Sequence, residues 1–355
     1  MKKILSLIIS IMLCLSMLAG CSTGGTTGDN AAENTAETTA DASTENTDDS
    51  SKKPQETSPV KINVASLKGP TTIGMSKLIE DSKSGEALND YDFNMYGTAD
   101  EIVPKLVNNE IDIALVPCNL ASVLYNKTEG AVQVAGINTL GVLYILENGD
   151  SIQRLVDLKG KTIYSTGKGT TPEYSLNYIL EQNGIVPGTD VKIEFKSEAT
   201  EIAALMSESD EIIAVLPQPF ATVVQAKNPD VRIAIDFTEE WEKIDAEGTL
   251  VTGVVIARKA FIEENPEAFQ VFLGEYGAST QYVNENVEEA AGWIAEYGIV
   301  PNAEVGAKAI PKCNITFIKG DEMQTKISNY LKVLFEANPQ SVGGSLPEDD
   351  FYYKG

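Results

Sequence analysis

The chain has 355 residues, a formal net charge of −25 and no histidine. Without histidine it cannot carry Ser-His-Asp or Cys-His catalytic groups or a histidine-ligated metal. Its acidity argues against nucleic acid as a partner. Residues 60–355 follow an N-terminal signal and a polar segment. This part of the chain is large for one hydrophobic core and is long enough for two lobes.

The first 20 residues are typical of an export signal. Lys2 and Lys3 precede an apolar run over residues 4–18, which is shorter than the ~20 residues that a membrane-spanning helix needs. The sequence Leu-Ala-Gly-Cys at 18–21 resembles the lipobox of bacterial lipoproteins, in which the cysteine becomes the lipidated first residue. We predict a signal peptide over residues 1–20 and a lipid on Cys21; a plain secretory signal is the alternative.

Residues 21–59 form a polar segment of different composition. After Cys21 the segment contains no aromatic residue and no Val, Ile, Leu or Met. It therefore cannot bury enough apolar surface to offset the entropy of ordering. We predict a disordered, acidic, Ser/Thr-rich tether that would let the folded part lie away from its anchor.

Short apolar runs then alternate with helical patterns, which is typical of an α/β fold with a largely parallel sheet. Thr98 and Glu101 form a capping-box pattern, which predicts a helix over 98–109. Amphipathic helices are also predicted over 266–283 and 326–338. The predicted strands are residues 61–67, 92–96, 111–116, 161–165, 191–195, 212–216 and 231–235.

The sequence repeats weakly when it is shifted by 100 residues against itself. Within residues 99–123, eight of 25 positions meet the same residue type at 199–223, where roughly one or two would be expected from ordinary composition. Lys68-Gly69 also meets Lys168-Gly169, and Thr71 meets Thr171. The repeat predicts two similar α/β lobes, with coincidence as the alternative.

The glycine-rich stretch STGKGTTPEYSL, residues 165–176, has neither a Walker nor a dinucleotide spacing, because Leu155 and Pro172 stand where glycines would be needed. Thr171 as N-cap and Pro172 as first helical residue instead predict a helix start. Such a start points free N–H groups beyond the carboxyl edge of a sheet, where open α/β sheets bind ligands. A capped helix without a ligand is the alternative.

These features together resemble the solute-binding lipoproteins of bacterial ABC importers, in the branch that includes nitrate, sulfonate, taurine and thiamine-pyrimidine binders. The residues that carry the resemblance are DLKGKTIYSTGKGTTPEYSLNYILEQNGI (157–185), IDIALVPCNLA (111–121), LPQPFAT (216–222) and GVVIARKAFIEENPEAFQVFL (253–273). The likeness spans essentially all of residues 60–355 and is specific for the family but not for the ligand.

The resemblance implies a two-lobed, type II periplasmic-binding-protein-like fold, in which each lobe is a mostly parallel sheet flanked by helices. Two hinge crossings would join the lobes, near 139–150 and 248–258. Lobe 1 would comprise residues 60–145 and 253–355 with the C-terminal helices, and lobe 2 would comprise 146–252.

The same resemblance implies a set of ligand-binding residues at the lobe edges. Trp241 is a further stacking candidate, although a place in the core is the more common outcome for a tryptophan. The expected ligand-binding residues are Leu67, Lys68, Thr71, Pro117, Cys118, Asn119, Asn138, Thr166, Lys168, Gly169, Thr170, Thr171 and Gln218.

The function implied is capture of a small polar or anionic metabolite and its delivery to an ABC importer permease, without catalysis, cofactor or metal. The protein would act as a monomer anchored to the outer face of the cell membrane. A sensor lipoprotein, or a lyase or cofactor-making enzyme of the same fold, is the alternative. Cys118 and Cys313 could pair or stay free in an oxidising compartment.

Overall fold

The computed structural model describes residues 59–208, 211–245 and 248–355. The predicted signal peptide, Cys21 and almost all of the predicted tether lie outside the described residues. The contacts between residues divide the chain into two units after Glu56. Every described helix and strand belongs to the second unit, Thr57–Gly355.

Eleven strands are found among the described residues, including all seven predicted ones. The bounds of the predicted strands are matched to within two residues at each end. The strands are β1 (Lys61–Leu67), β2 (Asp90–Tyr96), β3 (Ile113–Pro117), β4 (Val132–Thr139), β5 (Leu143–Asn148), β6 (Thr162–Ser165), β7 (Lys192–Phe195), β8 (Ile213–Pro217), β9 (Val231–Asp236), β10 (Gly253–Arg258) and β11 (Ile315–Ile318).

Helices follow most strands, and the predicted helix starting near Thr98 is confirmed with both hydrogen-bonding halves of its capping box. The helices are α1 (Pro70–Ile73), α2 (Ser76–Ser84), α3 (Ala99–Val107), α4 (Cys118–Lys127), α5 (Thr171–Gln182), α6 (Ala199–Glu208), α7 (Phe220–Lys227), α8 (Phe237–Ile244), α9 (Lys259–Glu264), α10 (Pro266–Glu285), α11 (Val287–Glu296), α12 (Ala303–Ala309) and α13 (Gly320–Ala337).

The strands form two sheets, and the two-lobed α/β fold is confirmed. Sheet 1 has the order β2-β1-β3-β10-β4-β11, and sheet 2 has the order β7-β6-β8-β5-β9. Strands 100 residues apart, such as β3 and β8, take equivalent places in the two sheets, as the sequence repeat predicts. The division of the chain into lobes at 145 and 252 stays a prediction.

Each sheet is mixed, which differs in detail from the expected mostly parallel sheets. β1 pairs in parallel with β2 and β3, and β6 with β7 and β8. β10 and β5 run antiparallel to both of their neighbours. Each of these two strands arrives from the other sheet and starts at the edge where the parallel strands end, so it must run in the opposite direction.

The two crossings between the sheets are short, and most of their residues are buried. Residues 140–142 lead from β4 into β5, and the chain returns to β10 through Val251 and Thr252. One cluster of buried apolar side chains continues through Leu143, Leu250 and Val251 into both lobes. The shared core holds the facing edges of the two sheets close together.

The last residues of the chain pack against lobe 1. Phe351 and Tyr352 are buried, and the Tyr353 amide donates to the Val134 carbonyl oxygen. Asn126 donates to the carbonyl oxygens of Val342 and Ser345. The C-terminal segment therefore completes the packing of α4 and β4.

Cys118 and Cys313 are both free and fully buried, which settles the alternative between a disulfide and free thiols. Burial raises the pKa of both thiols, and the thiolate is the reactive form. We expect residues 57–355 to show no thiol reaction with Ellman's reagent at pH 8, and two reactive thiols after denaturation. A thiol that reacts quickly in the native protein would contradict this placement.

Candidate functional site

A cleft of about 360 Å³ lies between the carboxyl edges of the two sheets. Residues from both sides of the crossings line it. From sheet 1 and its loops come Leu67, Lys68, Pro70, Thr71, Gly97, Thr98, Ala99, Asp100, Pro117 and Thr252; from sheet 2 come Leu143, Thr166, Gly167, Lys168, Thr170, Thr171, Pro172, Lys196, Ser197, Glu198, Ala199, Thr200, Pro217 and Phe220.

Most of the predicted ligand-binding residues lie at this cleft. The loop after β1 and the loop after β6 face each other across it, so that Lys68 and Lys168 line the same space although they are 100 residues apart. The predicted residues that line the cleft are Leu67, Lys68, Thr71, Pro117, Thr166, Lys168, Thr170 and Thr171. Their role as ligand contacts stays a prediction.

Cys118 and Gln218, which directly follow β3 and β8, do not line the cleft. Their backbone amides instead bind the segments where the chain crosses between the sheets. The Cys118 amide donates to the Thr252 carbonyl oxygen at 3.1 Å, and the Gln218 amide donates to the Val142 carbonyl oxygen at 3.0 Å. Both residues have no exposed surface. The Gln218 side-chain oxygen accepts from the Thr222 hydroxyl at 2.9 Å.

Asn119 also lies behind the lining, where it joins the two lobes. Its Nδ2 donates to the carbonyl oxygens of Gly169 and Ser341 at 3.3 and 2.9 Å, and its Oδ1 accepts from the Thr171 hydroxyl at 3.2 Å. Gly169 is exposed and does not line the cleft. Since both amide atoms of Asn119 have protein partners, its side chain fixes the loop before α5.

Asn138 is the fifth predicted residue that does not line the cleft. It is fully buried near the end of β4, where its side chain lies beside the Tyr276 hydroxyl group of α10.

The loop before α5 has two left-handed glycines, Gly167 at φ 69° and Gly169 at φ 76°, conformations that glycine adopts without steric cost. The N-cap of α5 is Thr170, one residue earlier than predicted, because Thr171 already has helical geometry. The Thr170 hydroxyl donates back to the Gly167 carbonyl oxygen at 2.7 Å, and the Gly169 amide donates to the Glu173 carboxylate. These two hydrogen bonds fix the loop, whereas the Thr170 side chain accepts no hydrogen bond from the first turn of α5.

Two further lining segments, residues 97–100 and 196–200, were not predicted as site residues. They contain the first two residues of α3 and of α6, which are equivalent helices 100 residues apart, and the residues just before them. The sequence repeat contained this signal, since Ala99 and Glu101 meet Ala199 and Glu201. The same pattern also predicts the architecture.

Three lysines line the cleft without a carboxylate partner in the described part of the chain: Lys68, Lys168 and Lys196. The Lys168 ammonium lies 5.9 Å from the centre of the Phe195 ring, and the Lys196 ammonium 5.4 Å from that of Tyr164. Two carboxylates, Asp100 and Glu198, also line the cleft. The lining therefore has an excess of one positive charge in a strongly acidic chain.

Trp241 does not line the cleft and belongs to the core. It is 1% exposed, and its ring centre lies 4.9 Å from that of Tyr178 and 5.4 Å from that of Tyr330. Among the described residues, no group of three or more Cys, Asp or Glu side chains could hold a metal ion.

Comparison with known proteins gives one family match. The model of the family described as NMT1/THI5 like matches residues 98–290. This range contains both equivalent helices α3 and α6 and the loop before α5. No curated protein sequence matches the chain.

Solved structures with a similar fold cover most of the chain. An ABC transporter from Parabacteroides distasonis is 24% identical, with a TM-score of 0.69, covering 83% of this chain and 99% of its own. The alkanesulfonate-binding protein SsuA from Xanthomonas axonopodis pv. citri, bound to MOPS, is 11% identical, with a TM-score of 0.65 and coverage of 82% and 96%. The periplasmic aliphatic sulphonate binding protein SsuA from Escherichia coli is 15% identical, with a TM-score of 0.63 and coverage of 84% and 95%. At these identities the likeness shows the fold.

Proposed function

The chain belongs to the NMT1/THI5-like family, and from this premise we propose that it is an extracytoplasmic solute-binding lipoprotein of an ABC importer. It would capture a small polar or anionic metabolite between its two lobes and deliver it to a membrane permease. No catalytic step is part of the proposal.

The observation that carries the proposal is the cleft, which is lined by three lysines that form no salt bridge within the described residues. Lys68 comes from the sheet 1 side, and Lys168 and Lys196 come from the sheet 2 side. A ligand anion between them would be held from both lobes, and charge-assisted hydrogen bonds are stronger than neutral ones. Such a ligand would favour the closed arrangement of the lobes, which is the form that a permease could recognise.

The cleft favours an organic ligand over nitrate among the candidate anions. Its volume is about 360 Å³, which lies in the range of sites for organic molecules. Leu67, Leu143 and Phe220 supply apolar surface beside the lysines. A sulfonate or carboxylate with an organic body, or a thiamine-type pyrimidine carrying an anionic group, fits this combination.

The membrane anchor is proposed from the sequence of the N-terminal segment. Cys21 follows a lipobox-like sequence, and the polar residues after it would serve as the tether. Within the described residues no helix is long and apolar enough to cross a membrane. A lipid on Cys21 would keep the protein beside its permease.

A thermal-shift screen of the full mature chain tests the proposal. The panel contains organic sulfonates, carboxylates and phosphorylated aminopyrimidines, each paired with an uncharged analogue. A ligand at 100 times its dissociation constant stabilises a protein by about 2.7 kcal/mol, which raises the melting temperature by about 4 °C at this size. We expect at least one anion to do so and its uncharged analogue to fail. Shifts only with uncharged compounds would contradict the proposal.

A further inference from the structure

The two lobes also meet at the end of the cleft that lies farthest from the crossings, which we call the mouth. The edge strands β2 and β7 lie there, each three places away from β10 and β5 in its sheet. The segments that follow them, residues 97–100 and 196–200, line the cleft from opposite sides. A Cβ placed on Gly97 would be only 2.6 Å from Glu198 Oε1 and 3.1 Å from Glu198 Cδ. The Glu198 carboxylate therefore occupies the room that the missing side chain at Gly97 leaves.

A second carboxylate lies beside the same point at the mouth. Glu101 Oε1 is 3.6 Å from the Cβ position at Gly97. The two distances from this position, 2.6 and 3.6 Å, limit the separation of Glu198 Oε1 and Glu101 Oε1 to at most 6.2 Å. Glu101 belongs to α3 on the sheet 1 side, and Glu198 directly precedes α6 on the sheet 2 side. Two like charges from opposite lobes are thus brought together where the lobes meet.

Both carboxylates are held in place by neighbours in their own lobe. Glu101 Oε1 accepts hydrogen bonds from the Thr98 amide at 3.0 Å and the Thr98 hydroxyl at 3.2 Å, and Glu198 Oε2 accepts one from the Thr200 hydroxyl at 3.0 Å. Neither carboxylate forms a salt bridge with a lysine or arginine of the described ranges. Each lies at the N-terminus of a helix, where the helix dipole stabilises the ionised form. The hydrogen bonds therefore fix the two charges without joining the lobes.

Two other contacts between the lobes are attractive, which sets the mouth apart. Asn119 forms hydrogen bonds with Gly169 and Thr171, and the Phe220 ring lies 3.7 Å from the Cβ position at Gly69. At the mouth, by contrast, closing the lobes costs electrostatic free energy. Two unit charges at most 6.2 Å apart change an equilibrium constant at least about threefold even in bulk water at low salt, and more at the lower effective dielectric constant near a protein surface.

We propose that Glu101 and Glu198 form an electrostatic gate, in which their repulsion keeps the lobes apart at the mouth until a ligand closes them. The proposal rests on the proposed function for its role and adds a form of regulation to it. A bound anion attracts the lysines of both lobes, and this attraction overcomes the repulsion at the mouth. The gate keeps the unliganded protein from presenting the closed form to a permease. Salt screens exposed charges and therefore weakens the gate.

The first arm of the test measures the gate without any ligand. Cysteines introduced at Val107 and Ala204, which are exposed on α3 and α6, carry dyes for single-molecule energy transfer, since both native thiols of the described chain are buried. At low salt, Glu101→Gln and Glu198→Gln should each raise the ratio of closed to open molecules at least about threefold. Added salt should close the wild type but have little effect on either variant.

The control for this arm is Glu263→Gln. Glu263 is exposed on α9, lies outside the cleft lining and forms no salt bridge with a described residue. This variant has the same net charge as the gate variants and should leave the distance unchanged. A wild type that is already fully closed at low salt, or an equal shift in Glu263→Gln, would overturn the proposal.

The second arm titrates the anion identified in the screen at low salt by calorimetry. Glu101 does not line the cleft, and glutamine can keep its capping hydrogen bonds. Glu101→Gln should therefore bind about threefold more tightly, because closure no longer works against the repulsion. The same substitution should have little effect in a Glu198→Gln background, where the pair is already broken.

The two arms separate the gate from the proposed function. An equal gain from Glu101→Gln in both backgrounds, or weaker binding, overturns the gate. If anions bind and the gate variants change neither distance nor affinity, the gate fails and the proposed function stands. If the distances respond as expected and no anion binds, the repulsion between the lobes stands and the proposed function fails.

Discussion

Replacing Lys68, Lys168 and Lys196 together by glutamine is expected to weaken binding of the anion identified in the screen at least about 100-fold. A hydrogen bond to a charged group contributes about 1.5–3 kcal/mol, and each 1.4 kcal/mol corresponds to a tenfold change in affinity. Because Lys168 is exposed, water screens part of its contribution and the lower end of the range applies. Isothermal titration calorimetry measures the loss.

The control variant removes the same number of positive charges at lysines outside the cleft. Lys61, Lys127 and Lys227 are exposed, lie outside the cleft lining and have no carboxylate partner in the described residues. Their triple glutamine variant has the same net charge as the cleft variant and should bind within about twofold of the wild type. Equal losses in both variants would show that overall charge, and not the cleft, determines affinity.

Trp241→Ala is expected to lower the free energy of unfolding by about 3–5 kcal/mol, the range for removing a large buried aromatic side chain. Trp241 fills the space between Tyr178 on α5 and Tyr330 on α13. Its ring nitrogen has no described partner, so Trp241→Phe loses packing but no hydrogen bond and should cost less. Urea denaturation followed by circular dichroism measures both.

The second tryptophan of the chain supplies the control. Trp293 is half-buried on α11 and stacks on Tyr282 with ring centres 5.9 Å apart. Trp293→Ala should cost clearly less than Trp241→Ala, because less surface returns to water. Ligand affinity of the folded Trp241→Ala protein should be unchanged; a large loss of affinity would indicate that Trp241 contacts the ligand after all.

The strands and the architecture could be predicted because their signals are local or repeated. The apolar run of β1, the capping box of α3 and the 100-residue repeat are all visible in the sequence. The antiparallel direction of β5 and β10 is not visible in the sequence, because it depends on where the chain crosses between the sheets. The N-cap of α5 was misplaced by one residue because Thr170 and Thr171 are equally good caps.

The candidate site could be predicted only in part, because a residue type does not reveal its partners. Asn119 and Asn138 look alike in the sequence, yet the first is bonded to Ser341, more than 200 residues away, and the second lies beside the Tyr276 hydroxyl group. Lys196 was not predicted as a site residue, because the equivalent position in the repeat is Tyr96 and not a lysine. Lys68 and Lys168 could be found because the repeat places both at equivalent loops.

The central claim is that one anionic ligand is held between the two sheets by lysines from both sides. A crystal structure of the protein with the anion identified in the screen tests it most directly. We expect the anionic group within hydrogen-bond distance of Lys68 and of at least one of Lys168 and Lys196. A ligand that contacts residues of one sheet only, or that binds outside the cleft, would contradict the account.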